Sequence, residues 1–432
     1  MGGSSLRGPL KRPVFRRLAA SYAINELGDW MGVVALSVLV YDQTGSALAT
    51  AALFIGTGFA PAALAPLFVA SVERPPPRFS LPVIYCGEAA AFAGLVLLAG
   101  DFSLPGVVVL AVVDGTLALA ARALTRGVAA SLLEPSGELR AGNAILNVAF
   151  TGGAAVGPAV AGLVVAGFGV QSALLLDAIS FYAVGWVLIT AGPLPRAEPE
   201  PGRMRERVRV GIAYVRETTI LRLLLIAQGA AFVFFSAVIP IEVVYVRETL
   251  GGSDSGYGLL LASWGTGMVL GSLIFAVARR APLPRLLFFS TIVIGAGYLG
   301  LAAAPTLAVA CGAAVLGGVG NGVQWVSVVS AVQELTAAEM QIRVMSVLES
   351  IATAMPGVGF VAGGLIATVV SPRATFLFAG VGILAIVALM TPLLVNEWPE
   401  RREILDSAEP DRYNDVVLEL IPAAASTSPT RR

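Results

Sequence analysis

The sequence predicts an all-α membrane protein, with twelve transmembrane helices arranged as two pseudo-symmetric six-helix bundles. Three observations carry this. The 432 residues are 56% hydrophobic and 13% charged, with a mean hydropathy of +0.82, whereas ordinary soluble domains carry about 25% charged residues. Twelve apolar segments are each long enough for a hydrocarbon core that takes about 20 residues to cross. One polar stretch, 192–217, divides them six and six, and the two sides echo each other. Gly157, Gly162 and Leu163 recur as Gly359, Gly364 and Leu365, a constant shift of 202 residues.

In order, the segments fall at 15–41, 46–72, 81–100, 105–133, 141–167, 171–191, 218–245, 256–278, 286–303, 306–333, 343–370 and 373–395. Turn chemistry sets the breaks: Asp42 to Gly45, Pro75-Pro76-Pro77, Asp101 to Pro105, Glu134-Pro135-Ser136-Gly137, Gly251 to Asp254 and Ser371-Pro372. Residues 1–191 then form the first bundle and 218–395 the second. The linker 192–217 is rich in Pro, Glu and Arg. From Arg205 to Arg222 its arginines alternate with Val208, Ile212, Val215 and Leu221, as in a helix lying on the inner membrane surface. The tail 396–432 is polar and expected to be partly disordered.

Basic residues set the orientation. Arg7, Lys11, Arg12, Arg16, Arg17, Arg74, Arg78, Arg126, Arg140, the linker arginines, Arg279, Arg280, Arg285, Arg343, Arg401 and Arg402 all fall on one side, against Arg247 and Arg373 on the other. Both termini are therefore expected in the cytoplasm, and the protein in the cytoplasmic membrane with the bilayer as its surroundings. The first apolar run is long and interrupted by acids, so it reads as a span that stays rather than a cleaved signal.

Composition also excludes. The formal net charge is zero, which argues against a nucleic-acid partner. Histidine is absent, which removes the commonest metal ligand and the commonest proton shuttle near neutral pH; no metal and no cofactor is expected. No phosphate-cradling Gly-Lys-Ser/Thr loop and no Gly-x-Ser-x-Gly elbow occurs, so neither ATP hydrolysis nor common hydrolase chemistry is indicated. Cys86 and Cys311 both fall in apolar segments and read as small packing residues.

What chemistry remains lies with acids inside the spans: Glu26, Asp29, Glu88, Asp114, Asp177, Glu242 and Glu349. A carboxylate at the centre of a span costs at least roughly 2.5 kcal/mol, so such residues face a protein interior or a wet cavity. Tyr22, Asn25, Glu26 and Asp29 follow the i, i+3, i+4, i+7 spacing that places them on one helix face. Such a stripe marks a path for a solute or a proton, although an acid there can also serve only to tie two helices together. Asp114 is placed either to pair with Arg122, two turns along the fourth span, or to face the cavity. Glu88, Glu242 and Glu349 fall nearer span ends, where solvated positions are expected.

Several stretches resemble the major facilitator superfamily, and within it the drug-proton antiporter branch that includes macrolide efflux and enterobactin exporters. They are Leu27-Gly28-Asp29 through Val40-Tyr41, Thr44-Gly45-Ser46, Arg140 with Asn143-Ala144, Leu176-Asp177-Ala178 with Ser180-Phe181, Gly211 through Val215, and Leu250-Gly251-Gly252 with Tyr257-Gly258. The resemblance covers nearly the whole chain except the tail. It implies a gating loop at Val69, Glu73, Arg74 and Arg78, although Val69 replaces the family's glycine and Pro75 to Pro77 stiffen the turn. Gly153, Gly157, Pro158 and Gly162 resemble the antiporter helix motif, in which small residues let helices approach closely and proline bends them. Arg122 to Gly127 matches an Arg-x-x-x-x-Gly pattern linked to proton transfer, and Asp177 matches a position that is more often structural.

The expectation is a secondary transporter and not an enzyme. It would couple protons to efflux of a hydrophobic or amphipathic small molecule and act as a monomer. Asn25, Glu26, Asp29, Asp114 and Arg122 would serve proton coupling or the substrate cavity; Gln228, Asn321, Gln324 and Trp325, with Phe232, Phe234 and Phe235, would line an apolar pocket holding a few polar groups. The alternatives are a facilitator or importer of a small nutrient, and a non-transporting membrane receptor.

Overall fold

The computed structural model describes residues 7–64, 68, 75–190, 194–195, 204–278, 281–337 and 340–398. Among these there is no strand, and 12 helices are long and apolar enough to cross a membrane. They are α1 (Pro13–Thr44), α2 (Ala47–Leu64), α3 (Pro77–Gly100), α4 (Leu104–Leu133), α5 (Ala141–Phe168), α6 (Val170–Ile189), α7 (Thr219–Thr249), α8 (Asp254–Val277), α9 (Leu283–Ala303), α10 (Leu307–Glu334), α11 (Arg343–Val369) and α12 (Pro372–Leu394). The predicted tail lies outside the described residues beyond Trp398, as do Val69, Glu73 and Arg74 of the predicted gating loop.

Local chemistry explains where these helices begin and end. The side chains of Ser46, Thr306 and Ser371 accept hydrogen bonds from Ala49, Val309 and Ala374 backbone N–H groups and so cap α2, α10 and α12. Gly45, with φ 59°, supplies the left-handed residue that closes α1. α7 runs past its predicted end because a π-helical turn, Tyr245–Thr249, continues it. Cys86 and Cys311 are free thiols.

α1 packs on α5 and α6, and α3 on α4 and α6; in the second half α10 packs on α8 and α9, α12 on α9, and α7 on α11 and α12. The halves meet chiefly through two helix pairs, α5 with α8 and α2 with α11. Glycines make these approaches possible. A Cβ on Gly157 would sit 2.7 Å from Trp30 Cβ on α1, and one on Gly162 would sit 3.0 Å from Gly258 Cα on α8. The echoing residues behave alike: Gly359 abuts α7 at Val233, and Gly364 faces Ala51 and Leu48 of α2. Residues 202 apart thus make matching contacts, first within a half and then across to the other.

The linker helix Met204–Glu217 packs against the start of α11, where Gly211 lies under the Arg343 carbonyl. Outward-facing residues such as Leu97, Val277 and Val369 are exposed, as expected of a surface that meets lipid.

Candidate functional site

The polar stripe of α1 points inward. Tyr22, Asn25 and Glu26 are fully buried, and the Asp29 side chain is 14% exposed. Gly153 makes room for them by bringing α5 against the Glu26 backbone, where an added Cβ would lie 3.0 Å from its carbonyl carbon. Arg122 enters from α4. Its Nε donates to Glu26 Oε1 at 3.0 Å, and its Nη2 donates to Glu26 Oε2 at 3.3 Å and to Asp29 Oδ2 at 2.6 Å. Asn25 Nδ2 donates to Asp29 Oδ2 at 3.2 Å, and the guanidinium carbon lies 6.0 Å from the Phe150 ring centroid on α5. One cation is therefore shared by two carboxylates, and the group carries a formal charge of minus one when both are ionised. Charges this deep are tolerable only when paired and hydrogen-bonded.

One of the two alternatives for Asp114 falls away here, and one expectation is corrected. Arg122 does not pair with Asp114; it turns to the two α1 acids, and Asp114 Oδ1 is buried with no hydrogen-bond partner among the described residues. Glu88 is not solvated. It is 0% exposed, and neither oxygen has a partner among the described residues. The neighbouring helices explain this, since α4 and α6 cover the α3 face that carries it. Glu349 is exposed, as expected, and feels the charge of Arg126 from the other half. Asp177 accepts from Ser180 Oγ at 3.3 Å and wedges against Gly28 and Gly32, so it fastens α6 to α1.

In the second half, Gln324 Nε2 donates to Gln228 Oε1 at 2.7 Å, and Trp325 lies 6.2 Å from Phe232, centroid to centroid. The two glutamines line a cavity of about 80 Å³ bounded by α7, α9, α10 and α12, walled by residues such as Leu224, Phe288, Val328 and Met390. That cavity lies within the second half, and Asn321 and Trp325 are not among its lining residues. Arg78, the one described residue of the predicted gating pair and its arginines, lies with its guanidinium carbon 4.6 Å from the Phe79 ring centroid.

A second polar cluster was not anticipated. At the end of the molecule away from Pro13, Arg247 pairs with Asp42 of α1 at 3.0 Å and with Asp254 of α8, and the Tyr41 hydroxyl donates to Glu248. The π-helical turn of α7 presents both Arg247 and Glu248. The signal available in sequence was Arg247, one of two arginines assigned to that side, beside the acids Asp42 and Asp254 of two breaks. These contacts join the halves at this end. Nearer the other end Arg126, Asn143, Asn147, Glu349 and Ser350 are exposed although they lie within spans.

Solved structures share this fold at low sequence identity. The nucleoside transporter NupG superposes with a TM-score of 0.70 at 11% identity, covering 90% of this chain and 100% of that one. A bacterial homologue of the iron transporter ferroportin, in an inward-facing state, gives 0.68 at 15% identity, covering 89% and 98%. The human organic anion transporter MFSD10 gives 0.61 at 16% identity, covering 88% and 100%. No curated protein matches by sequence. The transmembrane secretion effector family matches residues 4–420. With twelve spans, a cation shared by two buried acids and a match over nearly its whole length, the chain belongs to that family of major facilitator transporters and is a multi-pass membrane transporter.

Proposed function

We propose that the protein is a proton-coupled exporter of a hydrophobic or amphipathic small molecule. It would sit in the cytoplasmic membrane as a monomer with both termini inside, and residues 1–191 and 218–395 would rock about their interface to give alternating access. The observation that carries this reading is Arg122 held between Glu26 and Asp29 within the first bundle. A proton arriving at either acid takes the group's charge from minus one to zero and releases one arm of Arg122. That change in charge and bonding biases the halves toward one orientation, and bound substrate biases them toward the other. On the second half, Trp325 with Phe232 and Asn321 supplies the aromatic surface and sparse polar groups that suit an amphipathic solute.

The test is uptake into sealed everted vesicles against a panel of lipophilic dyes and siderophores. Uphill accumulation that an uncoupler abolishes is the expected result, with Asp29→Asn inserted and folded but unable to pump. Accumulation indifferent to the uncoupler would make the protein a facilitator, and binding without movement would make it a receptor. Wild-type pumping by Asp29→Asn would remove Asp29 from the coupling step.

A further inference from the structure

Among the described residues, the ion pairs of the first half leave Glu88 without a counterion. Arg122 is committed to Glu26 and Asp29 through three hydrogen bonds. The charged and titratable groups within electrostatic reach of Glu88 are Asp114 and Arg122 on α4, Asp29 on α1, Asp177 on α6 and Tyr85 on α3 itself, so three of the five are carboxylic acids and one is a cation. Both Glu88 oxygens are buried and unpartnered among the described residues, and Asp114 Oδ1 is in the same condition. A bare carboxylate in such surroundings is costly, and a bound proton removes that cost.

We infer that Glu88 is a second proton-holding site of the first half, loaded in this conformation and emptied when Arg122 is released from the α1 acids. The inference rests on the coupling role proposed above for Asp29 and Glu26. One proton taken up by Asp29 neutralises that acid and frees an arm of Arg122. The freed guanidinium then offsets the negative charge that Glu88 acquires as its own proton leaves for water admitted when the halves reorient. One proton enters, one departs, and the charge of the buried set is unchanged. Arg122 is thus a cation exchanged between carboxylates, and Glu88 is the acid that waits its turn.

Infrared spectroscopy of the full chain in lipid tests this without any substrate. A neutral carboxylic acid gives a carbonyl stretch that a carboxylate lacks. At pH 7 the wild-type protein is expected to show such absorption, and Glu88→Gln is expected to lose the component due to Glu88, read in the difference spectrum against wild type. In Asp29→Asn, which copies a protonated Asp29, the pH at which the Glu88 band is half lost should move down by about one unit, roughly a tenfold change in proton affinity. An unchanged spectrum in Glu88→Gln overturns the inference, and so does an unmoved midpoint in Asp29→Asn. Failure of Glu88→Gln to fold overturns it as well, because glutamine copies the shape and charge of the protonated acid. If vesicles show no proton movement with any solute while these spectra come out as expected, the export reading fails and the Glu88 assignment stands.

Discussion

Arg247 Nη1 lies 3.0 Å from Asp42 Oδ1, an ion pair that ties α7 of the second half to α1 of the first at the end remote from Pro13. Asp254 at the start of α8 holds the same arginine from the other side, and the Tyr41 to Glu248 hydrogen bond runs alongside. The side chains of Arg247 and Asp42 are 27% and 40% exposed, so this is a latch made in partly wet surroundings, where a pair is worth about 0.2–1 kcal/mol.

Arg247→Ala is therefore expected to favour the conformer open at that end, without unfolding the protein. A loss of about 1 kcal/mol shifts the ratio of conformers roughly fivefold. Spin labels placed on α1 and α7 near Asp42 and Arg247 report it as a longer distance population. An unchanged distribution would mean the latch does not contribute.

Arg122 is a different case, because its partners are buried. Arg122→Gln leaves Glu26 and Asp29 facing each other unneutralised, and removing one member of a buried ion pair costs about 3–5 kcal/mol. Thermal unfolding in detergent should fall sharply. The triple variant Glu26→Gln, Asp29→Asn, Arg122→Gln should recover most of that stability while remaining unable to couple protons. Recovery of pumping in the triple variant would contradict the assigned site.

The interface between the halves makes a prediction with a built-in control. A Cβ at Gly258 would come 2.8 Å from Gly162 Cα, so Gly258→Ala must push α8 from α5. Transport should be impaired while insertion is kept, and Gly258→Leu should abolish it. Gly152, on the same α5, has nothing within 4 Å of its added Cβ. Gly152→Ala should leave transport intact and raise stability by up to about 1 kcal/mol through helix propensity. Equal effects at the two glycines would show that helix stiffness, not close approach, is what matters.

The Gln228 to Gln324 hydrogen bond predicts strong non-additivity. Either single change to leucine strands a buried amide at about 1–3 kcal/mol, whereas the double leucine variant strands none. Melting temperatures of the two singles and the double measure this directly, and simple addition of the two losses would show that the bond is energetically idle.

Much of the architecture was legible because a bilayer imposes a long, simple signal. About twenty apolar residues bounded by Pro, Gly or charge are hard to read as anything but a span, and the misplaced end of α7 arose only where a π-helical turn carries the charged Arg247 and Glu248 past the apolar stretch. The helical periodicity of Tyr22, Asn25, Glu26 and Asp29 likewise foretold a shared face, since spacing along one helix is a local property. The repeat of Gly157 and Gly162 at Gly359 and Gly364 was visible too, although the partners of each glycine were not.

The pairing of charges was not legible. Arg122 and Asp114 share a helix at a plausible spacing, yet Arg122 reaches across to Glu26 and Asp29, 96 and 93 residues away. Glu88 looked like a span-end residue until α4 and α6 closed over it, and Arg247 looked like an isolated loop charge until α1 and α8 brought Asp42 and Asp254 to it. The sequence alone determined that this chain carries twelve membrane spans in two related halves, with a polar face on the first of them, because apolar length and helical period are written locally. Which acid meets which cation was decided only in the tertiary structure, because ion pairs depend on how helices distant in the chain are brought side by side.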